Sequence, residues 1–366
     1  MRLKKGPPDF ILFISALTLL GIGLVMVFSS SAVTANVNYG DPYYFFKKQL
    51  LWAVIGLVAM AITMKINFSR LRDFAIPLTV LAVVLLILVV TPLGTEVKGS
   101  SRSFDLGFMS FSPSELAKVA LVMFLAKAMD TKLDRISSFT AGVLPFLVMV
   151  MLVCGLIMLQ PDLGTAFTIA ATVFFMLLVA GAQWSHLGAI MLSGLGAVVA
   201  AIAVAPYRME RVVAFLNPWK YASDEGFQTI QSLYALGSGG LFGMGLGRSR
   251  QKFFYLPEQH TDFIFAILGE ELGFIGCSVV VTLFLLFAWR GYKIAINAPD
   301  NCSRLMAAGL TTIIVFQAII NIAVVSGALP VTGITLPFLS YGGTSLLFTM
   351  IMVGLLLNIS RYSTQT

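Results

Sequence analysis

Residues 240–276 read GLFGMGLGRSRQKFFYLPEQHTDFIFAILGEELGFIG, a polar, glycine-rich loop that runs straight into an apolar helix. The class of fold turns on this junction. From Tyr207 to Asp262, charge, glycine, amide and aromatic side chains arrive together. On either side lie mainly long apolar runs with few charges. Asp262 stands where the loop gives way to sequence suited to hydrocarbon, and it is the leading candidate for chemistry.

Composition supports that division. Of the 366 residues, 58% are hydrophobic and 11% charged, with a mean hydropathy of +0.91. A soluble domain carries about 25% charged residues, so the sequence reads as an all-α polytopic membrane protein. No polar stretch approaches the length of a separate soluble domain, which makes residues 1–366 a single transmembrane unit. The first apolar run, Phe10 to Phe28, is long enough to span and has no small-residue cleavage site behind it, so it reads as a retained helix. The net charge of +7 is scattered among loops. That distribution suits an anionic membrane surface or an anionic lipid substrate rather than nucleic acid. Cys154, Cys277 and Cys302 lie far apart with no pairing or metal spacing, and two histidines exclude a His-rich metal site.

A span needs about 20 apolar residues, and about ten candidates follow in order. They lie near 10–30, 49–66, 74–92, 113–129, 140–159, 162–182, 186–206, 262–290, 305–327 and 341–360. Short loops on one side hold Arg2, Lys4, Lys5, Lys65, Arg70, Arg72, Lys127, Lys132, Arg135, Arg290, Lys293, Arg304 and Arg361. The other side holds Lys47, Lys48 and Lys98, with the rest of its basic residues mostly in the long loop, which weighs little in orientation. Both termini are therefore expected in the cytoplasm, with a large extracellular loop, about 207–261, between helices seven and eight.

Ionisable residues at membrane depth are costly and functional by default. Here they are Glu115, Lys118, Asp162, Asp262, Glu270 and Glu271. Glu115 and Lys118, in SPSELAKV, are neighbours on one helix. They suit either a local ion pair or a lysine that faces a cavity and meets an anion. Pro113 suits the helix start, with Ser112 as its cap. Pro161 suits the next helix start, with Asp162 in its first turn. Asp162 is expected to meet Lys118 across a central cavity. Eight residues beyond Asp262, Glu270 comes back to within about 80° of its face, roughly 12 Å deeper, and is expected to share its cavity. Glu271 should point at another helix.

In the long loop, Arg208 and Arg211 in YRMERVVAFLNPW suggest an interfacial amphipathic segment. Gln228 and Gln231 lie three apart on a short helix near Tyr234, where amides suit either sugar hydroxyls or plain surface. GSGGLFGMGLG lacks the Lys-Ser/Thr ending of a phosphate loop. It suits close backbone packing or a flexible gate, with anion binding by N–H groups as the alternative. Arg248, Arg250 and Lys252 alternate just before LPEQHTDF and suit a pyrophosphate, with Glu258 beside them. His260 and Asp262, two apart, form either an acid–base pair or a structural histidine next to a base. Near the end, PVTGITLPFLSYGGTS breaks the helix at Pro330, Pro337 and Gly342-Gly343. Such backbone is tolerated at membrane depth only against protein or a cavity, so the segment is either a groove lining or a structural re-entrant loop. Ser340 and Gly342 are its candidate contacts, and Gln317 and Asn321 should share one helix side. Composition and spacing alone leave enzyme and transporter both open.

LPEQHTDFIFAILGEELGFIG, together with KGSSRSFDLG, SPSELAK, QPDLGT, APYRMERVVAFLNPW and PVTGITLPFLSYGGTS, resembles the SEDS proteins (shape, elongation, division and sporulation), including FtsW and RodA. GLGRSRQKFFYLPE is similar to the FtsW and SpoVE branch. The resemblance implies ten transmembrane helices and a peptidoglycan glycosyltransferase that polymerises lipid II at the outer face of the bacterial cytoplasmic membrane, during division or sporulation. It further implies that Asp262 takes the proton from the acceptor GlcNAc C4 hydroxyl, and that the oxygen displaces undecaprenyl pyrophosphate with inversion. Arg102, Lys118, Arg248, Arg250 and Lys252 are the candidates for stabilising that leaving group. Asp162, Gln228, Gln231, Glu258, His260, Glu270, Ser340 and Gly342 complete the candidate substrate contacts. Ser112 and Phe104 stand where the family usually has Gln and Trp, so sugar contacts are not carried over to them. The expected partners are a class B penicillin-binding protein transpeptidase and other divisome or sporulation proteins. No tightly bound cofactor is expected; a Mg2+ or Mn2+ ion bridging Asp262 and the substrate pyrophosphate stays open. A lipid II flippase and a non-catalytic division scaffold are the competing readings. A flippase needs polar groups through the whole bilayer, whereas the ionisable groups here cluster toward one side.

Overall fold

Long apolar runs become helices because hydrocarbon offers no partner for a backbone N–H or C=O, so each must be satisfied within the segment. A computed structural model describes residues 6–97, 100–105, 107 and 110–362. The charge expectations on Arg2, Lys4, Lys5 and Lys98 fall outside these residues. Twelve α-helices are described: α1 (Phe10–Tyr39), α2 (Tyr44–Lys65), α3 (Phe68–Val90), α4 (Pro113–Asp130), α5 (Leu144–Met158), α6 (Leu163–Val179), α7 (Trp184–Val204), α8 (Pro206–Leu216), α9 (Phe227–Gly239), α10 (Ile264–Ile296), α11 (Asn301–Val325) and α12 (Gly343–Ser360). Ten coincide with the ten apolar stretches; α8 and α9 lie in the long loop. A small antiparallel sheet, β1 (Thr95–Val97), β2 (Ser100–Asp105) and β3 (Ser110–Phe111), links α3 to α4.

This is a multi-pass membrane protein. Among the described residues, eight helical segments are long and apolar enough to cross a bilayer. The other two of the ten fall short for visible reasons: α6 has 17 residues, and α4 carries Glu115, Lys118, Lys127 and Asp130. The hydrophobic core gathers around α11 and α12, whose most apolar windows are 72% and 78% buried, against 6% for α7. Outward-facing side chains such as Trp184, Leu192 and Val204 on α7 present an apolar surface suited to lipid. Polar locks close the ends. Asp9 caps α1 through Leu12 N–H (2.9 Å) and pairs with Arg290 of α10. Asp300 caps α11 through Ser303 N–H (2.8 Å).

Two helix starts differ from the sequence expectation. Ser112 precedes Pro113 as expected, but its hydroxyl bonds Ser114 Oγ (2.9 Å) rather than a helix N–H. Asp162 is itself the cap of α6, accepting from Thr165 N–H (3.0 Å), and Pro161 lies outside the helix. An acceptor at the cap satisfies an otherwise orphaned donor, which a carboxylate one turn further in cannot reach.

The glycine-rich segment resolves as close backbone packing. α10 breaks at Gly273 (φ 65°, ψ −164°), which frees helical donors and acceptors at membrane depth. The glycine segment takes them up. Met244 and Gly245 N–H donate to Glu270 and Glu271 C=O (2.9 and 3.0 Å). In return, Phe274 and Ile275 N–H donate to Gly240 and Leu241 C=O (2.8 and 3.2 Å). A Cβ on Gly243 would overlap Glu271 O, so only glycine permits this approach.

Candidate functional site

A cavity of about 160 Å³ opens where α4, α6, α11 and the start of α12 meet the sheet and the non-helical segment 326–342. Pro330, Pro337 and the glycine pair keep that segment from continuing α11, so its backbone lines the cavity through Gly333, Ile334, Thr335 and Gly342. It is held from α11, where Gln317 and Asn321 lie one turn apart and face it together. Gln317 Nε2 donates to Thr335 O (3.0 Å), and Asn321 Nδ2 donates to Ile334 O (2.7 Å).

Lys118 is buried at the cavity wall, 3% exposed. Its Nζ pairs with Glu115 Oε2 (2.8 Å) and donates to Gln317 Oε1 (2.8 Å). The local pair and the cavity-facing position therefore both hold. Asp162 lines the same cavity, but the expected Asp162–Lys118 contact does not form. Both Asp162 oxygens are engaged by Thr165, through its N–H (3.0 Å) and Oγ1 (2.9 Å), while Lys118 is met by its own helix and by Gln317. Arg102 also lines the cavity and holds the α5–α6 turn, donating to Gln160 O (2.9 Å) and Pro161 O (2.7 Å). Thr165, Thr168, Thr335, Thr344 and Ser345 add hydroxyls. Two cations, two carboxylates and a set of hydroxyls suit a ligand that is both hydroxylated and anionic.

Asp262 is not among the lining residues but stands beside one of them, Gly333. It is half-buried immediately ahead of α10. Its Oδ2 faces Gly333, where an added Cβ would lie 3.6 Å away. Its backbone C=O accepts from Asn321 Nδ2 (2.7 Å), the same amide that holds Ile334. One asparagine thus ties the carboxylate's residue to the cavity wall. His260 packs its ring against Phe45 (centroids 4.6 Å) and Tyr341 (5.7 Å). Glu258 adopts a left-handed backbone (φ 54°) and accepts from Thr261 Oγ1 (2.8 Å) within its own turn.

Several expected contacts lie elsewhere. Lys252 is 4% exposed and pairs with Glu271 Oε1 (2.9 Å), so it is a buried partner and not a cation open to a pyrophosphate. Glu270 does not share the cavity: its carboxylate accepts from Ser249 Oγ and from Arg250 N–H (2.9 Å), because the 249–251 turn offers it donors. Glu271 meets another helix as expected, through Ser29 Oγ of α1 (2.6 Å). Ser340 is a structural clip rather than an open contact, accepting from Leu336 N–H (2.8 Å) and donating to Thr261 O (2.6 Å). Arg248 and Arg250 are exposed on the loop, and Gln228 and Gln231 are half-buried on α9; among the described residues none of these four lines the cavity. Gly342 does. The cavity's hydroxyls were not legible in the sequence, since a helical threonine such as Thr168, bonded to Gly164 O (2.9 Å), looks ordinary in any span.

Similarity to known proteins extends over nearly the whole sequence. Residues 10–365 match the family of FtsW, RodA and SpoVE, described as cell cycle protein. Stage V sporulation protein E of Bacillus subtilis is 50% identical over 364 residues, 99% of this sequence and 100% of that protein. A probable peptidoglycan glycosyltransferase FtsW of Trichlorobacter lovleyi is 44% identical, over 96% of this sequence and 93% of its own. Among solved structures, Thermus thermophilus rod shape determining protein RodA aligns with a TM-score of 0.74 at 30% identity, covering 98% of both proteins. One component of a peptidoglycan synthase complex, described for coordinating polymerization and crosslinking, aligns with a TM-score of 0.79 at 29% identity, over 97% of this sequence and 98% of that one.

Proposed function

This protein belongs to the FtsW, RodA and SpoVE family of cell cycle proteins, and from that premise we propose a peptidoglycan glycosyltransferase that polymerises lipid II with Asp262 as general base. The observation that carries this reading is Asp262, held through its backbone C=O by Asn321 with its carboxylate beside Gly333 of a cavity walled by Lys118 and Arg102. Asp262 takes the proton from the acceptor C4 hydroxyl as its oxygen attacks the donor's anomeric carbon. The bond to undecaprenyl pyrophosphate breaks with inversion, and the leaving group carries the electron pair away. Negative charge develops on the pyrophosphate, where fixed cations stabilise it most. An ammonium has three donors; Lys118 donates to Gln317 and pairs electrostatically with Glu115, which leaves donor capacity for the ligand.

A Mg2+ or Mn2+ ion carried in with the substrate pyrophosphate would offset charge on the leaving group, and Asp262 is the carboxylate that would meet it. Among the described residues no cluster of three or more metal-binding side chains forms a resident site. The loop and the cavity face the outside, both termini lie in the cytoplasm, and the ten stretches all cross, with α4 and α6 shielded by their neighbours. The partner in this reading is a class B penicillin-binding protein transpeptidase, and the place of work is the septum. Reconstitution with lipid II and such a partner tests the reading. Glycan strands and released undecaprenyl pyrophosphate are expected; transport of lipid II without polymerisation would replace it with a flippase.

A further inference from the structure

Glycosyl transfer at Asp262 leaves two of the most buried carboxylates without a role. Glu270 and Glu271, 1% and 0% exposed, lie in α10 just before its break at Gly273. Glu270 gathers the 249–251 turn, accepting from Ser249 Oγ, Arg250 N–H (2.9 Å) and Gln251 N–H (3.3 Å). Glu271 accepts from Ser29 Oγ of α1 (2.6 Å), Ser249 N–H (3.3 Å) and Lys252 Nζ (2.9 Å). Lys252 Nζ also reaches Ser29 Oγ (3.3 Å). An ion pair buried this deeply is weak evidence for stability, since apolar residues of similar volume often serve as well or better.

The network is continuous with the turn that carries Asp262. Gln259 Nε2 donates to Lys252 O (3.3 Å) and to Thr34 Oγ1 of α1 (2.7 Å), three residues before Asp262. From the other side, Ser340 Oγ donates to Thr261 O. The return of the loop is therefore bound to α1 and α10 at residues 249, 252 and 259, and the base hangs from the last of these ties. We infer that Lys252, Glu271 and Gln259 are positioning residues that fix Asp262 beside the cavity. The inference rests on the glycosyl-transfer reading of Asp262. None of the three lines the cavity, so loosening them lowers turnover while leaving substrate affinity in place. A displacement of about 1 Å at a reacting group can cost about 10²-fold in rate.

The test uses the whole protein reconstituted with its transpeptidase partner and lipid II. The double variant Lys252→Met/Glu271→Met removes both charges at once, so neither is stranded. It is expected to hold its melting temperature in detergent while kcat falls by about ten-fold or more with KM for lipid II unchanged. Lys252→Arg keeps the cation and retains turnover. Gln259→Leu leaves the ion pair intact and lowers kcat in the same direction, which decides the matter should the double variant not fold. Wild-type kcat in Gln259→Leu or in a stable double variant, or a rise in KM with kcat unchanged, overturns the inference. A wild-type protein that makes no glycan removes the activity reading itself, and the positioning role with it.

Discussion

Asn321 directs one amide nitrogen to two carbonyls, Asp262 O and Ile334 O, both at 2.7 Å. Replacing it with leucine keeps the volume and strands both acceptors. The expected loss of stability is about 1–3 kcal/mol for unsatisfied buried groups, read as a lower melting temperature in detergent. Turnover should fall as well, because the tie between Asp262 and the cavity wall is cut. At this scale the sequence was uneven. The position of Asp262 at a loop–helix junction was legible, and the Gln317–Asn321 pair was legible from its spacing. Lys252 was misread as an open cation. Alternation with Arg248 and Arg250 suggested one shared surface, while its partner Glu271 lies 19 residues away, inside α10. Sequence gives the charge, and only tertiary structure shows what it faces.

α10 carries the next prediction. Gly273 has φ 65°, and a Cβ there would overlap Gly243 N. Gly273→Ala is expected to cost about 1–3 kcal/mol for the left-handed backbone alone, with the overlap adding to it. Gly188→Ala on α7, where an added Cβ meets nothing within 4 Å, should be neutral or slightly stabilising. Thermal unfolding of the two variants side by side measures the difference. The helices themselves were readable from apolar length, and the non-helical segment before α12 from its prolines and glycines. The break at Gly273 was not, because Leu272, Phe274 and Ile275 around it are as apolar as any span. Glu270 was misplaced because angular reckoning along α10 shows which residues can share a face, and says nothing of the donors in the 249–251 turn.

For the whole molecule, the number of crossings and their direction are testable together. With Cys154, Cys277 and Cys302 replaced, a single cysteine at Asp224, exposed in the loop, should react with a membrane-impermeant thiol reagent on intact cells. One at Arg135, exposed between α4 and α5, should react only after permeabilisation. The opposite pattern would invert the topology and place Asp262 on the cytoplasmic side. Fold class was legible at this scale because hydropathy integrates over long segments. Helices α4 and α6 sit at its margin, since charge in one and length in the other weaken the signal that defines a span.

The most direct measurement compares wild type with Asp262→Asn, each reconstituted with the transpeptidase partner and supplied with lipid II. Asparagine keeps the shape and the backbone bond to Asn321 while removing the base. Glycan synthesis is predicted to fall by about 10²–10⁴-fold, the scale of general-base catalysis, with the melting temperature and lipid II binding retained. Glycan strands made equally fast by both proteins would contradict the assignment of Asp262.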